Sequence, residues 1–226
     1  MRFLHNLLAG FAALAFFVPA AGADWTENFD SYPLGSGLHG QGGWTGWDNN
    51  PATDAYTTDV YSYSSPHSAA IIPTSDIVHQ FAETGGLWRM TGWCYVPSGS
   101  TGDQYFIMLN TYNHGGPYDW SLQLHFNSAT GMLIVENGGT GTTPILTNQW
   151  IEIKIEIDLG GNTQQIYYNG ILLDSLPWMT TGVLEIAALD LYSDGGSTIY
   201  WDNLLLVDFT ALQRSTWGEI KASDLY

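Results

Sequence analysis

Gln149–Leu173 reads QWIEIKIEIDLGGNTQQIYYNGILL and sets Ile151, Ile153, Ile155 and Ile157 against Glu152, Lys154, Glu156 and Asp158. A period of two is that of a half-buried strand. The turn cluster Leu159-Gly160-Gly161-Asn162 follows, then the run Gln165-Ile166-Tyr167-Tyr168, and Asn169-Gly170 marks a second tight hairpin. Three antiparallel strands with one apolar and one polar face need a second sheet to cover the apolar side. The segment therefore predicts an all-β, two-sheet antiparallel β-sandwich.

The rest of the chain has the same texture. Strands are expected near 25–32, 55–59, 68–72, 77–82, 87–96, 104–112, 119–127, 132–136, 150–158, 163–168, 171–176, 183–192 and 199–207. Gly85-Gly86, Pro97-Ser98-Gly99, His114-Gly115-Gly116-Pro117, Gly138-Gly139 and Asp194-Gly195-Gly196 punctuate them. Thirteen short strands without a convincing long helix read as one sandwich or jelly-roll domain over 24–208. The tail, 209–226, is the only helix-compatible piece: Ser215-Thr216 can cap a short turn carrying Trp217, Ile220 and Leu225, a candidate contact for a protein partner.

Residues 1–23 combine Arg2, an apolar run from Leu7 to Val18 and the small residues Ala21-Gly22-Ala23, the pattern of a secretory signal peptide cleaved near Ala23. No later stretch approaches the roughly 20 apolar residues of a membrane-spanning helix. The expected address is secreted, periplasmic or cell-surface. With 5 basic and 22 acidic residues the formal charge is −17, which argues against nucleic acid and anionic membranes as partners. Cys94 is alone, so no internal disulfide exists, and its apolar strand predicts a buried structural thiol.

The stretches ENFDSYPLGSGLHGQGGWTGWDN near the start, YFIMLNTYN in the middle, the opening hairpin and the closing IYWDNLLLVD together resemble secreted bacterial concanavalin A-like lectin/glucanase jelly rolls, a group that includes laminin G-like modules. The resemblance covers about 24–208 and implies two curved antiparallel sheets, the concave one carrying any glycan site. It leaves activity open among lectins, adhesion modules, glucanases and polysaccharide lyases.

Three constellations compete for that activity. Glucanases of this kind place acids along one strand, and Glu152, Glu156 and Asp158 share a face. Glu152 and Glu156, four residues apart, stand about 13 Å apart in a strand, beyond the roughly 5 to 9.5 Å that glycosidases use. Glu156 and Asp158 fit that distance, but Lys154 stands where the pattern has its central acid, and a solvated charged face accounts for the row. Gln123-Leu124-His125 resembles the Gln-x-His strand of alginate lyases, with Arg89 as the candidate cation, but the arginine-rich and tyrosine-lysine strands of that family are missing. The third constellation is a binding face. Trp93 and Tyr95 share a face with Arg89; Asn110 and Tyr112 form a second group and Gln123 and His125 a third, while Trp120 alternates with them toward the core. Rings beside amide and guanidinium donors hold sugars through stacking and hydroxyl hydrogen bonds.

The sequence therefore predicts a non-catalytic module that binds carbohydrate or a glycosylated surface through Arg89, Trp93, Tyr95, Asn110, Tyr112, Gln123 and His125, with Trp47 and Asp48 among the rim residues. A glycan-cleaving enzyme and an extracellular adhesion protein are the alternatives. The resemblance further implies a structural Ca2+ held between the first and last strands, with Glu27, Asp30 and Asp202 as candidate ligands.

Overall fold

A computed structural model of the protein describes residues 24–209; the expected signal peptide and C-terminal tail lie outside the described residues. Fifteen strands form two antiparallel sheets. In chain order they are β1 (Trp25–Glu27), β2 (Trp44–Gly46), β3 (Tyr56–Thr58), β4 (Ser68–Ile71), β5 (Asp76–Glu83), β6 (Leu87–Tyr95), β7 (Asp103–Tyr112) and β8 (Tyr118–Asn127). They continue as β9 (Met132–Val135), β10 (Thr142–Pro144), β11 (Trp150–Asp158), β12 (Thr163–Tyr168), β13 (Ile171–Leu176), β14 (Ile186–Asp194) and β15 (Ile199–Asp208). The first sheet runs β13-β12-β11-β6-β15-β4-β3, with β1 also on β15; the second runs β10-β9-β8-β7-β14-β5-β2. Two short strands, β2 and β10, escape the sequence reading because three residues are too few to show a period. The first expected strand also stops early, at Glu27, because Phe29 takes a left-handed backbone (φ 61°) while its N–H donates to Glu27 Oε1 at 2.8 Å.

The isoleucine row does what its period predicts. Ile151, Ile153, Ile155 and Ile157 are buried and lie opposite Cys94, Gly92, Met90 and Trp88 of β6. Gly92 has a packing reason: a Cβ there would come within 2.6 Å of Leu204 Cδ2. On the outer face of the same strands, Arg89 Nη2 sits 2.8 Å from Glu156 Oε1, Lys154 Nζ sits 3.2 Å from the same oxygen, and Lys154 also lies over the Tyr167 ring. Glu156 is thus a salt-bridged surface residue, as the solvated-face reading requires.

Trp201 of β15 joins the sheets. Fully buried, it packs at 5.1 Å against Phe106 and 6.1 Å against Phe126, both from the second sheet. Cys94 is buried nearby in the core, and burial pushes its thiol pKa up, so it is structural. At one side of the sandwich Asp174 of β13 accepts the N–H groups of Thr140 and Gly141 at 2.8 and 2.7 Å, lacing the edge of the first sheet to the segment entering β10.

Candidate functional site

The register of the second sheet lays its outer face out in cross-strand rows. One row runs Gln123, Ile107, Asp190, Val78; the next runs His125, Tyr105, Tyr192, Asp76. In the second row the rings stack, His125 on Tyr105 at 4.6 Å and Tyr105 on Tyr192 at 5.6 Å. These rows floor a cleft of about 290 Å³, walled by Trp47 and Trp120.

Trp120 reaches the cleft because β7 and β8 slip register around Met108–Thr111. A bulge of this kind shifts the alternation by one residue. Leu122, Leu124 and Phe126 stay in the core, while Trp120 joins Gln123 on the outer face and is 40% exposed. The sequence reading placed Trp120 inward; the bulge corrects it. Trp47 enters from a turn whose Asp48 and Asn49 both have left-handed backbones. That turn is tied down: Tyr118 Oη donates to Asp48 Oδ1 at 2.6 Å, Gly115 N–H to the same oxygen at 2.8 Å, and Asp48 N–H to Tyr112 Oη at 3.0 Å. The bonds from Tyr118 and Gly115 hold the Asp48 pKa below the usual carboxylate range. The Trp47 and Trp120 indoles end nearly parallel, 6° between planes with centroids 6.4 Å apart.

Under these walls lie Asp76 and Asp190, on neighbouring strands and diagonal in register. Each acid bears on the other's titration, and among the described residues the buried Oδ1 of each has no hydrogen-bond partner. Burial first, and the neighbouring acid second, raise the Asp190 pKa well above the carboxylate range. Burial pushes Asp76 up to about 6, moderated by the neighbouring Asp190. Both acids are pushed toward their protonated forms, and the proton is a property of the pair. Neither acid was read from sequence as a site residue, although a lone Asp in the apolar run Ile186-Ala187-Ala188-Leu189-Asp190-Leu191 is the signal that marks it.

The seven residues expected to share one binding face are divided between opposite surfaces. Arg89, Trp93 and Tyr95 lie on β6 and face outward from the first sheet. There the chain covers its own rings: Tyr63 stacks on Trp93 at 4.0 Å and Tyr61 on Tyr95 at 4.2 Å. Tyr112, Gln123 and His125 belong to the second sheet. Gln123 lines the cleft. Tyr112 is buried and holds the Trp47 turn, and Asn110, 1% exposed, donates to Thr181 O at 3.1 Å to secure a neighbouring loop. His125 stands between Asp103 and Glu136, its Nε2 and Nδ1 each 2.8 Å from a carboxylate oxygen. With both ring nitrogens engaged it is a fixed post under Tyr105, not an open base for a lyase.

The three candidate calcium ligands are each engaged within the chain. Glu27 takes the Phe29 N–H, the Tyr32 hydroxyl and, at 3.3 Å, the Trp44 indole N–H. Asp30 accepts His67 N–H at 2.9 Å, and Asp202 accepts the N–H groups of Tyr63 and Ser64 at 2.7 and 2.9 Å. Each of these carboxylates thus accepts hydrogen bonds from the chain itself. Among the described residues no cluster of three or more His, Cys, Asp or Glu is arranged to hold a metal ion.

No protein-family model and no curated protein matches the chain. Among solved structures, the globular domain of T. cruzi calreticulin superposes with a TM-score of 0.52 at 10% identity, over 88% of this chain and 94% of that one. An endo-β-1,4-glucuronan lyase from the fungus Trichoderma reesei gives 0.53 at 8% identity, over 81% and 94%. A sialidase gives 0.58 at 10% identity over 84% of this chain, which spans only 19% of the sialidase. Such low identities speak to fold and not to activity. No helix among the described residues is long and apolar enough to cross a membrane. The paired antiparallel sheets and these likenesses show that the chain has the fold of a concanavalin A-like jelly roll, a two-sheet antiparallel sandwich.

Proposed function

We propose that this protein binds carbohydrate, non-catalytically, in the cleft on the outer face of the second sheet. The observation that carries the reading is the pairing of an exposed Trp120 with a near-parallel Trp47 above a floor of Gln123, Asp76 and Asp190. Indole faces stack on the C–H faces of a pyranose, while amide and carboxyl groups take its hydroxyls. That a glucuronan lyase and a sialidase share the fold supports a glycan as the ligand class. The leader-like residues 1–23 support an exported protein that meets glycans outside the cytoplasm.

The glycan-cleaving alternative draws on one observation, a protonated carboxyl beside an ionised one in the cleft. Glycosidase carboxyls flank the scissile bond about 5 Å or more apart. Asp76 and Asp190 instead sit diagonal on neighbouring strands of one floor, not on two sides of a bound chain, which favours holding a ligand over cutting it.

Titration of the protein with a panel of neutral and charged oligosaccharides tests the proposal, with reducing ends and unsaturated uronates assayed in parallel. Trp120→Ala is expected to weaken binding about tenfold, on the order of 1.4 kcal/mol for a lost stacking face. Arg89→Ala, on the other sheet, is expected to leave affinity unchanged. Equal losses in both variants, or product release by the wild type, would count against this assignment.

A further inference from the structure

We propose that the cleft is selective for glycans carrying a free amino group, with the sugar's ammonium seated on the Asp76–Asp190 pair between the aromatic walls. This rests on the carbohydrate reading and adds the substrate class.

Asp190 is 2% exposed, lines the cleft, and has no hydrogen-bond partner for Oδ1. Asp76, half-buried, also lines the cleft with its Oδ1 unpartnered. Two carboxyls are pressed together without a cation to balance them, an arrangement that a ligand bringing positive charge would relieve. The raised pKa of both acids reflects that unmet need.

The surroundings repeat the same sign. Asp48 stands at the Trp47 turn, and Asp103 and Glu136 flank His125 at the far end of the aromatic row. Among the described residues the lysine and arginine side chains are Arg89 and Lys154, and both are on the outer face of the other sheet, engaged with Glu156. A glycan carboxylate entering the cleft would meet acids with no guanidinium or ammonium to receive it. An ammonium would meet carboxyl oxygens below and the indole rings of Trp47 and Trp120 beside it, the setting that favours organic cations. A bare metal ion is poorly served, because the walls supply rings where a third and fourth oxygen would be needed.

The test is calorimetric titration of the full chain with β-1,4-linked tetramers of glucosamine, N-acetylglucosamine, glucose and glucuronate at neutral pH and fixed salt. The glucosamine tetramer is expected to bind at least tenfold tighter than the N-acetylated and glucose tetramers, and the glucuronate tetramer weakest of all. In the Asp76→Asn/Asp190→Asn double variant the preference for glucosamine over its N-acetylated form is expected to disappear, with circular dichroism and a cooperative melt showing that the variant is folded. Equal affinity of the wild type for glucosamine and its N-acetylated form overturns the amino-sugar assignment and leaves the carbohydrate reading standing. Failure of all the tetramers to bind overturns both. The wild-type comparison decides the matter even where the double variant does not fold.

Discussion

Asp190→Asn should make the protein more stable at pH 8, by about 1 to 3 kcal/mol, and change it little at pH 4. In the folded chain Asp76 titrates at about 6 and Asp190 well above the carboxylate range, whereas both would titrate near 3.8 when unfolded. Between about pH 4 and 6, and further for Asp190, the folded state therefore holds protons that the unfolded state releases. Stability falls as pH rises through that window, since the slope follows the protons bound by the unfolded chain minus those bound by the folded one. An asparagine at 190 cannot ionise and removes the competing charge beside Asp76, so the decline should flatten. Urea melts of both proteins at pH 4, 6 and 8 check this, and taking the difference cancels the background from the other acids. Parallel pH profiles for wild type and variant would show that the pair carries no such cost.

Trp201→Ala is expected to be the more damaging change, lowering stability by about 3 to 5 kcal/mol. The indole is fully buried and spans from the first sheet to Phe106 and Phe126 of the second, so its loss opens a cavity at the centre of the sandwich. Trp201→Phe should cost far less, under about 2 kcal/mol. Phenylalanine keeps an aromatic ring at the sheet interface and removes Nε1, which is buried without a hydrogen-bond partner. Denaturant midpoints for the two variants, with unchanged m-values, provide the measurement. If the alanine variant lost less than about 1 kcal/mol, Trp201 could not be the tie between the sheets.

Fold was legible wherever alternation ran unbroken. The hairpin from Trp150 to Leu176 appears with the strand limits that its isoleucine, Gly-Gly and Asn-Gly pattern predicts, and Glu156 lies in the charged outer row that Lys154 implied. The site was legible only in pieces. Alternation correctly set Arg89, Trp93 and Tyr95 on one side of β6, but it cannot say which sheet that side belongs to; the chain then crosses, and β7 lies in the other sheet. For Trp120 the alternation itself misled, because a bulge depends on the pairing partner and leaves no period of its own. Asp190 hid in an apolar strand and Asp76 at the start of another, and only their register brings the two carboxyls together. For Glu27, Asp30 and Asp202 the sequence shows the carboxylates but not the N–H groups of the chain that each accepts, because those donors come from turns brought close only by the fold.

The lacing of Asp174 to Thr140 and Gly141 bears on how the molecule behaves in a crowd. An open sheet edge is a template on which a second copy can add a strand, and repeated addition is the route to fibrils. Here a strand approaching β13, where Ile171 and Leu172 are exposed, finds Asp174 already bonded across to the other sheet. One approaching β10 meets Pro144, which has no N–H to offer. Growth is blocked at that side of both sheets, so concentrated solutions should resist cross-β stacking there despite the oily patch.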